Sequence, residues 1–460
     1  MSQSINRAKA YASENREAFL DNLKQLVSIP SVSTHDHNIP DMQQAASWVA
    51  DKLRQMGIEK VQVMPTGGHP VVYGEWLKKE GAPVVLIYGH YDVQPSEPDE
   101  LWETGPFEPT LKGENLYGRG ASDMKGQVIA TLSALESIME TGGSLPVNVK
   151  FIIEGEEEIG SPNLTAFLEA NRDLLASDVA LNPDAGMIAP DMPTIVYALR
   201  GLAYFELRVY GPSGDLHSGL YGGVVHNPAQ ALCELIAGMH DDQGRVTLPG
   251  YYDSVRQLSA EERQELARLP MDEEYYRQQT GAPQVWGEQG YTPTERVGAR
   301  PTLEVNGMIS GFTGKGSKTV LPAYAMAKIS MRLVPDQDPA EVHKQLRQYL
   351  EEHAPDTIRW ELIAMQGGTA SISDIHHPAA EALASAQEQV WGKRPVYKRE
   401  GGSVPVVADM QKLLGIESVL TGFGLPDDNL HAPNEKLHLP TWYKGIDALI
   451  HFFYNYGSGA

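Results

Sequence analysis

Five short polar clusters interrupt an otherwise apolar pattern. They are "GHYDVQP" with His90 and Asp92, "GRGASDMKG" with Asp123, "EGEEEIGS" with Glu156, Glu157 and Glu158, "ALNPDAG" with Asp184, and "DDNLHAPNE" with His431. In the first, histidine and aspartate stand two residues apart where the run "PVVLIYG" ends. On a strand, residues i and i+2 point to one face, so both would lean toward the carboxyl edge of a sheet, where open α/β folds take their ligands. A capping histidine with a turn aspartate accounts for that pair alone equally well. Several half-buried carboxylates that converge are costly unless paired or bound to a cation. Histidine, aspartate and glutamate without a thiolate suit zinc, manganese or cobalt. Two ions sharing a carboxylate sit roughly 3.5–4 Å apart and need about five protein ligands. Two histidines and three of these carboxylates would make up such a set.

The elements that must position these groups are legible from periodicity. In "AASWVADKLRQMG", Ala45, Trp48, Val49, Leu53 and Met56 recur at helical spacing before Gly57. The runs "VQVM", "VVYGEW", "PVVLIYG", "VNVKFIIEG" and "DVALN" read as strands, and "QVIATLSALESIME" and "LTAFLEANRDLL" as helices. This alternation predicts an α/β fold, a mixed, mostly parallel sheet with helices on both faces. From about residue 200 the pattern changes to half-buried strands, in the order strand 202–210, helix 228–239, strands 302–310 and 323–334, helix 339–353 and strand 357–364. That split β-α-β-β-α-β order predicts a compact α+β second domain over 200–371, inserted into a discontinuous first domain of 1–199 and 372–460. The polar stretch 241–300 matches neither pattern.

Composition narrows the function. A formal charge of -23 disfavours nucleic acid and anionic membranes as partners. No stretch reaches the roughly 18 apolar residues of a membrane span, and the opening twenty residues lack the apolar core of a secretory signal, so a cytoplasmic enzyme is expected. Cys233 is the one cysteine; it falls in a predicted apolar helix face and is expected to be inert, leaving oxygen and nitrogen as metal ligands. Met124 reads as core filler. His376 and His377 read as a helix start before Pro378.

Together the clusters resemble the co-catalytic metallopeptidase family of carnosinase, cytosolic non-specific dipeptidase, aminoacylase and glutamate carboxypeptidase. The resemblance spans nearly the whole chain. It is greatest to the dipeptidase branch, through "DLHSGLYGG" at 215–223, "KTVLP" at 318–322, "RLVP" at 332–335 and "GGSVPV" at 401–406. It implies two divalent ions, zinc, manganese or cobalt, with His90 and Asp184 on one, Glu158 and His431 on the other and Asp123 bridging. Asp92 would orient His90. Glu157 would be the general base, moving a proton from the metal-bridging water to the departing amine. The run of three glutamates also permits a slip that would select Glu156 and Glu157 instead. In dimeric relatives the counterpart of His217 reaches the neighbouring subunit's site and stabilises the oxyanion. Arg332 would bind the substrate's carboxylate, helped by Thr319, Gly402 and Ser403. The implied function is hydrolysis of dipeptides or short peptides by a homodimer, with 1–199 and 372–460 as the metal-binding catalytic domain and 200–371 as an inserted lid or dimerisation domain. N-acyl-amino-acid deacylation is the alternative within the family, and a catalytically silent binding protein the alternative outside it.

Overall fold

The computed structural model describes residues 1–402 and 404–459. It divides into two compact units, one of Met1–Tyr197, Ser373–Lys398 and Val406–Ala460, the other of Ala198–Ile372 and Arg399–Pro405. The sequence pattern does not signal that the short segment Arg399–Pro405 packs with the second unit.

Strands of the first unit lie in the order Glu59–Met64, Val71–Trp76, Asn148–Glu154, Val84–His90, Val179–Asn182, Glu417–Leu420 and Thr194–Leu199. The four from Asn148–Glu154 to Glu417–Leu420 are mutually parallel, and the flanking pairs are antiparallel. Val71–Trp76, Asn148–Glu154 and Val179–Asn182 are buried at every position. Alternate side chains point to opposite faces, so burial of all of them requires helices on both. The helix Lys125–Gly142 is buried along most of its length and packs against Leu439–Gly457, which also packs against Pro378–Trp391. It ends at Gly143, whose φ of 70° is the left-handed conformation that glycine adopts without strain.

The parallel register brings the polar clusters to one edge. His90 is the last residue of its strand and pairs with Glu154, the last of the neighbouring one. The turn Glu157–Ile159 therefore starts just beyond the same edge. Asn182 ends the next parallel strand, two residues before Asp184.

The second unit holds a four-stranded antiparallel sheet, ordered Thr302–Ser310, Tyr324–Leu333, Gly201–Tyr210 and Arg359–Gly368. Alternate residues such as Phe205, Leu207, Ile329 and Met331 join Leu232, Leu235, Leu346 and Leu350, from the helices Pro228–Ala237 and Pro339–His353, in one core. The last strand runs past its expected end at 364 through an irregularity between Ala364 and Gln366. Cys233 departs from expectation: its helix buries Ala231, Leu232 and Leu235, and the cysteine lies on the exposed side. The stretch 241–300 forms the short helices Ala260–Leu266, Glu273–Thr280 and Pro293–Ala299. Its polarity is explained by capping boxes at Ser259 and Thr292 and by the buried pair of Arg300 with Glu288.

Candidate metal centre

His90 is fully buried at the carboxyl end of its strand. Its Nδ1 lies 3.0 Å from the carbonyl oxygen of Asp92 and 3.4 Å from the Asp92 carboxylate. That leaves Nε2 for the site. It stands 3.2 Å from Asp123 Oδ1 and 3.8 Å from Asp184 Oδ2, with no well-formed hydrogen bond to any described residue. The other Asp123 oxygen lies 3.0 Å from Nε2 of His431, which is 3.3 Å from Glu158 Oε2. Ligands bonded at about 2.0–2.2 Å to one tetrahedral ion stand roughly 3.3–3.6 Å apart, close to these separations. Ligand atoms of His90, Asp123 and Glu158 all lie within 4.8 Å of one another. A buried nitrogen without a partner, facing oxygen donors at this spacing, fits a divalent cation.

Asp92 has a second task. Its two carboxylate oxygens accept the backbone N–H groups of Glu157 (3.3 Å) and Glu158 (3.1 Å), so one buried side chain holds both His90 and the glutamate turn. The turn separates the three glutamates. Glu156 is buried and accepts hydrogen bonds from Asn163 and from the backbone of His69. Glu158 faces His431 and is held by Gln94, whose side chain donates to its Oε2 (2.9 Å) and whose backbone donates to its Oε1 (3.2 Å). Glu157 is close enough to His90, Asp184, Glu158 and Asp123 for their charges to act on its carboxyl.

The charges are unbalanced. Burial, with Asp184 and Glu158 adding to it against His90, raises the Glu157 carboxyl to about 9. Burial and the nearby Asp123 raise Asp184 to about 7. Asp123 and Glu158 hold the His431 imidazole up at about 10. Burial disfavours a charged His90, but Asp123 and Asp92 outweigh it and hold the ring well above its usual range. A cluster this rich in carboxylates relieves its own repulsion by keeping protons or by exchanging them for cations.

Three contributors were not legible in the sequence. Glu435, fully buried, accepts the backbone N–H groups of Gly120, Ser122 and Asp123 and pairs with Arg119 at 2.8 Å, which fixes the segment carrying Asp123. It ends the cluster "DDNLHAPNE", but nothing in its spacing singles it out. Gln94 follows "GHYDV" in the same way. Met124, expected to be filler, accepts the backbone N–H of His90 through its sulfur.

The remaining expected residues belong to the second unit. His217 is exposed, and its Nδ1 accepts the N–H of Gly219 at 3.0 Å. Thr319 is exposed, with its carbonyl accepting from Ser218. Arg332 lines a cavity on the four-stranded sheet. Gly402 accepts the backbone N–H of Arg200 through its carbonyl. Ser403 lies outside the described residues. His377 caps the helix Pro378–Trp391, its Nδ1 accepting from Ala379.

A model of peptidase family M20/M25/M40 matches residues 86–455. The chain is 31% identical over 465 residues to the Cys-Gly metallodipeptidase of Candida albicans, covering 96% of each. It is 31% identical over 471 residues to the Beta-Ala-His dipeptidase of Homo sapiens, covering 98% of this chain and 92% of that one. A solved M20 family metallo-carboxypeptidase from Sulfolobus solfataricus matches with a TM-score of 0.84 at 33% identity, over 96% of this chain and 99% of that one. Among the described residues, no helix is long and apolar enough to cross a membrane.

Proposed function

The chain belongs to peptidase family M20/M25/M40, and from that premise we propose that it hydrolyses dipeptides or similarly short peptides at a two-cation centre. It is a metal-dependent hydrolase of the dipeptidase branch. The observation that carries the two-cation reading is Asp123, with one carboxylate oxygen 3.2 Å from His90 and the other 3.0 Å from His431. His90 with Asp184 would hold one ion and His431 with Glu158 the other, Asp123 serving both. Zinc suits these donors best, and manganese or cobalt fits the same set.

Bound there, the cations supply Lewis-acid polarisation of the scissile carbonyl and lower the pKa of water. The chain's own residues do the rest. Glu157 takes a proton from the attacking water as oxygen bonds to the carbonyl carbon, then delivers it to the amine as the C–N bond breaks. Asp92 keeps Nδ1 of His90 engaged and so aims Nε2 at the centre. Arg332, with Thr319, Gly402 and Ser403, receives the substrate's C-terminal carboxylate. His217 of one protomer donates to the oxyanion in its partner's site, in a cytoplasmic homodimer. The test is a screen of the zinc- or manganese-loaded protein against dipeptides, tripeptides and N-acyl amino acids. Cleavage that depends on a free α-amine supports the dipeptidase reading; cleavage of N-acyl amino acids alone overturns it.

A further inference from the structure

Arg200 directly precedes the strand Gly201–Tyr210, and the register fixes what surrounds it. Arg332 pairs with Leu202 on one side and with Thr302 on the other. Residues opposite one another on adjacent strands share a face, as do residues two apart on one strand. Leu202, Arg332 and Thr302 therefore point away from the face on which Ala203, Phe205, Met331 and Leu303 join the helices in the core. A cavity of about 430 Å³ lies there, and both Arg200 and Arg332 line it.

The arginines of its wall are not equivalent. Arg300 grips Glu288 through two nitrogens, and Arg296 donates to the Glu288 carbonyl. Arg200 makes no ion pair with a described residue. Its Nε donates to the Gly401 carbonyl at 3.1 Å, its backbone N–H donates to the Gly402 carbonyl at 3.1 Å, and its Nη1 is buried with no partner among the described residues. Burial, followed by the like charge of Arg332, lowers its guanidinium to about 10, with Glu400 and Glu304 acting in the opposite direction. A guanidinium left partly unsatisfied beside a second one is costly. The cost is offset when an anion enters, and guanidinium groups match a carboxylate better than any other side chain.

We propose that Arg200 is a positioning residue for the substrate's C-terminal carboxylate, fixing the Gly401–Gly402 turn and adding a second positive charge beside Arg332. The proposal rests on the dipeptidase reading above. It predicts that Arg200 matters in proportion to the charge on the substrate's C-terminus.

The experiment compares the metal-loaded wild type, Arg200→Met and Arg200→Lys on one dipeptide and on its C-terminal amide, with thermal melts to establish folding. In Arg200→Met, KM for the acid should rise roughly 10- to 100-fold, as expected for a lost charge-assisted interaction, with kcat little changed and the amide unaffected. Arg200→Lys, which keeps the charge, should recover part of the preference for the acid. Titration calorimetry with a non-cleavable reduced dipeptide and its amide should give the same contrast without turnover. Equal losses on acid and amide, no loss at all, or a lysine variant no better than methionine would overturn the assignment. A wild type that cleaves and binds no dipeptide overturns the dipeptidase reading and the assignment with it. A wild type that cleaves dipeptides while Arg200→Met keeps its preference for the acid overturns the assignment alone.

Discussion

His431 Nε2 stands 3.0 Å from Asp123 Oδ2 across 308 positions of sequence. The chain thus closes its site with a histidine contributed long after the other proposed ligands, and Asp123 is the residue both histidines approach. Replacing Asp123 with asparagine keeps the shape and removes the anion. Elemental analysis should find two ions per wild-type chain and depleted occupancy at both positions in Asp123→Asn. EDTA should abolish hydrolysis, and zinc or manganese should restore it. Undiminished turnover by protein verified as metal-free would end the two-cation mechanism.

The three glutamates should separate by phenotype. Glu157→Gln should retain both ions and lose 10²–10⁴-fold in kcat, the usual contribution of a general acid–base group. Glu158→Gln should weaken one ion, because its carboxylate faces His431. Glu156→Gln should affect neither, since its hydrogen bonds run to Asn163 and His69. A base phenotype at Glu156 would shift the assigned register by one.

Much of this was legible because it is local. The apolar runs ending at "YGHYD" and "IIEGEEE" mark strands whose ends must carry the polar groups, and a parallel sheet brings such ends together. What the sequence hid depends on long-range contacts of single side chains. Glu435 matters because three backbone N–H groups around residues 120–123 point at it, and Asp92 holds the glutamate turn through N–H groups that any residue type would supply. Backbone donors leave no trace in composition or periodicity. Cys233 departs from its expected face for a related reason. A helix face is set by what packs on it, and Leu232 and Leu235 won that face.

Cation binding should release protons. In the metal-free site the His431 imidazole is held up at about 10, Glu157 at about 9 and Asp184 at about 7. Near pH 7.5 His431 and Glu157 therefore carry protons, as does His90, whose ring Asp123 and Asp92 hold well above its usual range, while Asp184 is largely ionised. Ligation requires a neutral imidazole and ionised carboxylates, so protons compete with cations. Affinity should fall as pH drops, about tenfold per pH unit for each proton displaced, and more steeply below pH 7, where Asp184 takes up a proton as well. Calorimetry of zinc binding in buffers of different ionisation heat measures the proton count directly. Net proton uptake, or none, would contradict these environments.

Glu435→Gln should damage both stability and metal retention. The pair with Arg119 is buried on both sides, 0% and 1% exposed, and removing one partner of such a pair costs about 3–5 kcal/mol. The new amide would also turn an N–H toward donors that now meet an anion. Denaturant unfolding and metal analysis should both register the change. A variant as stable as the wild type and fully loaded would show that Glu435 does not hold the Asp123 segment.

His217 Nδ1 accepts from the Gly219 N–H, so the neutral ring carries its proton on Nε2, as a donor. Leu220, in the one-turn helix Ser218–Tyr221 that follows His217, and Val224 just beyond it are 72% and 82% exposed, an apolar surface of the kind that association covers. If this segment completes a partner's site, His217→Ala should remain folded and metal-loaded yet lose 10²–10³-fold in rate, the usual effect of removing one oxyanion donor. Mixing His217→Ala with Glu157→Gln should then restore activity, because exchange of subunits yields heterodimers in which one site combines an intact base with an intact histidine. Sedimentation should find the wild type as a dimer. Demonstrated exchange without recovered activity, or a fully active wild-type monomer, would confine His217 to its own chain or remove it from the reaction.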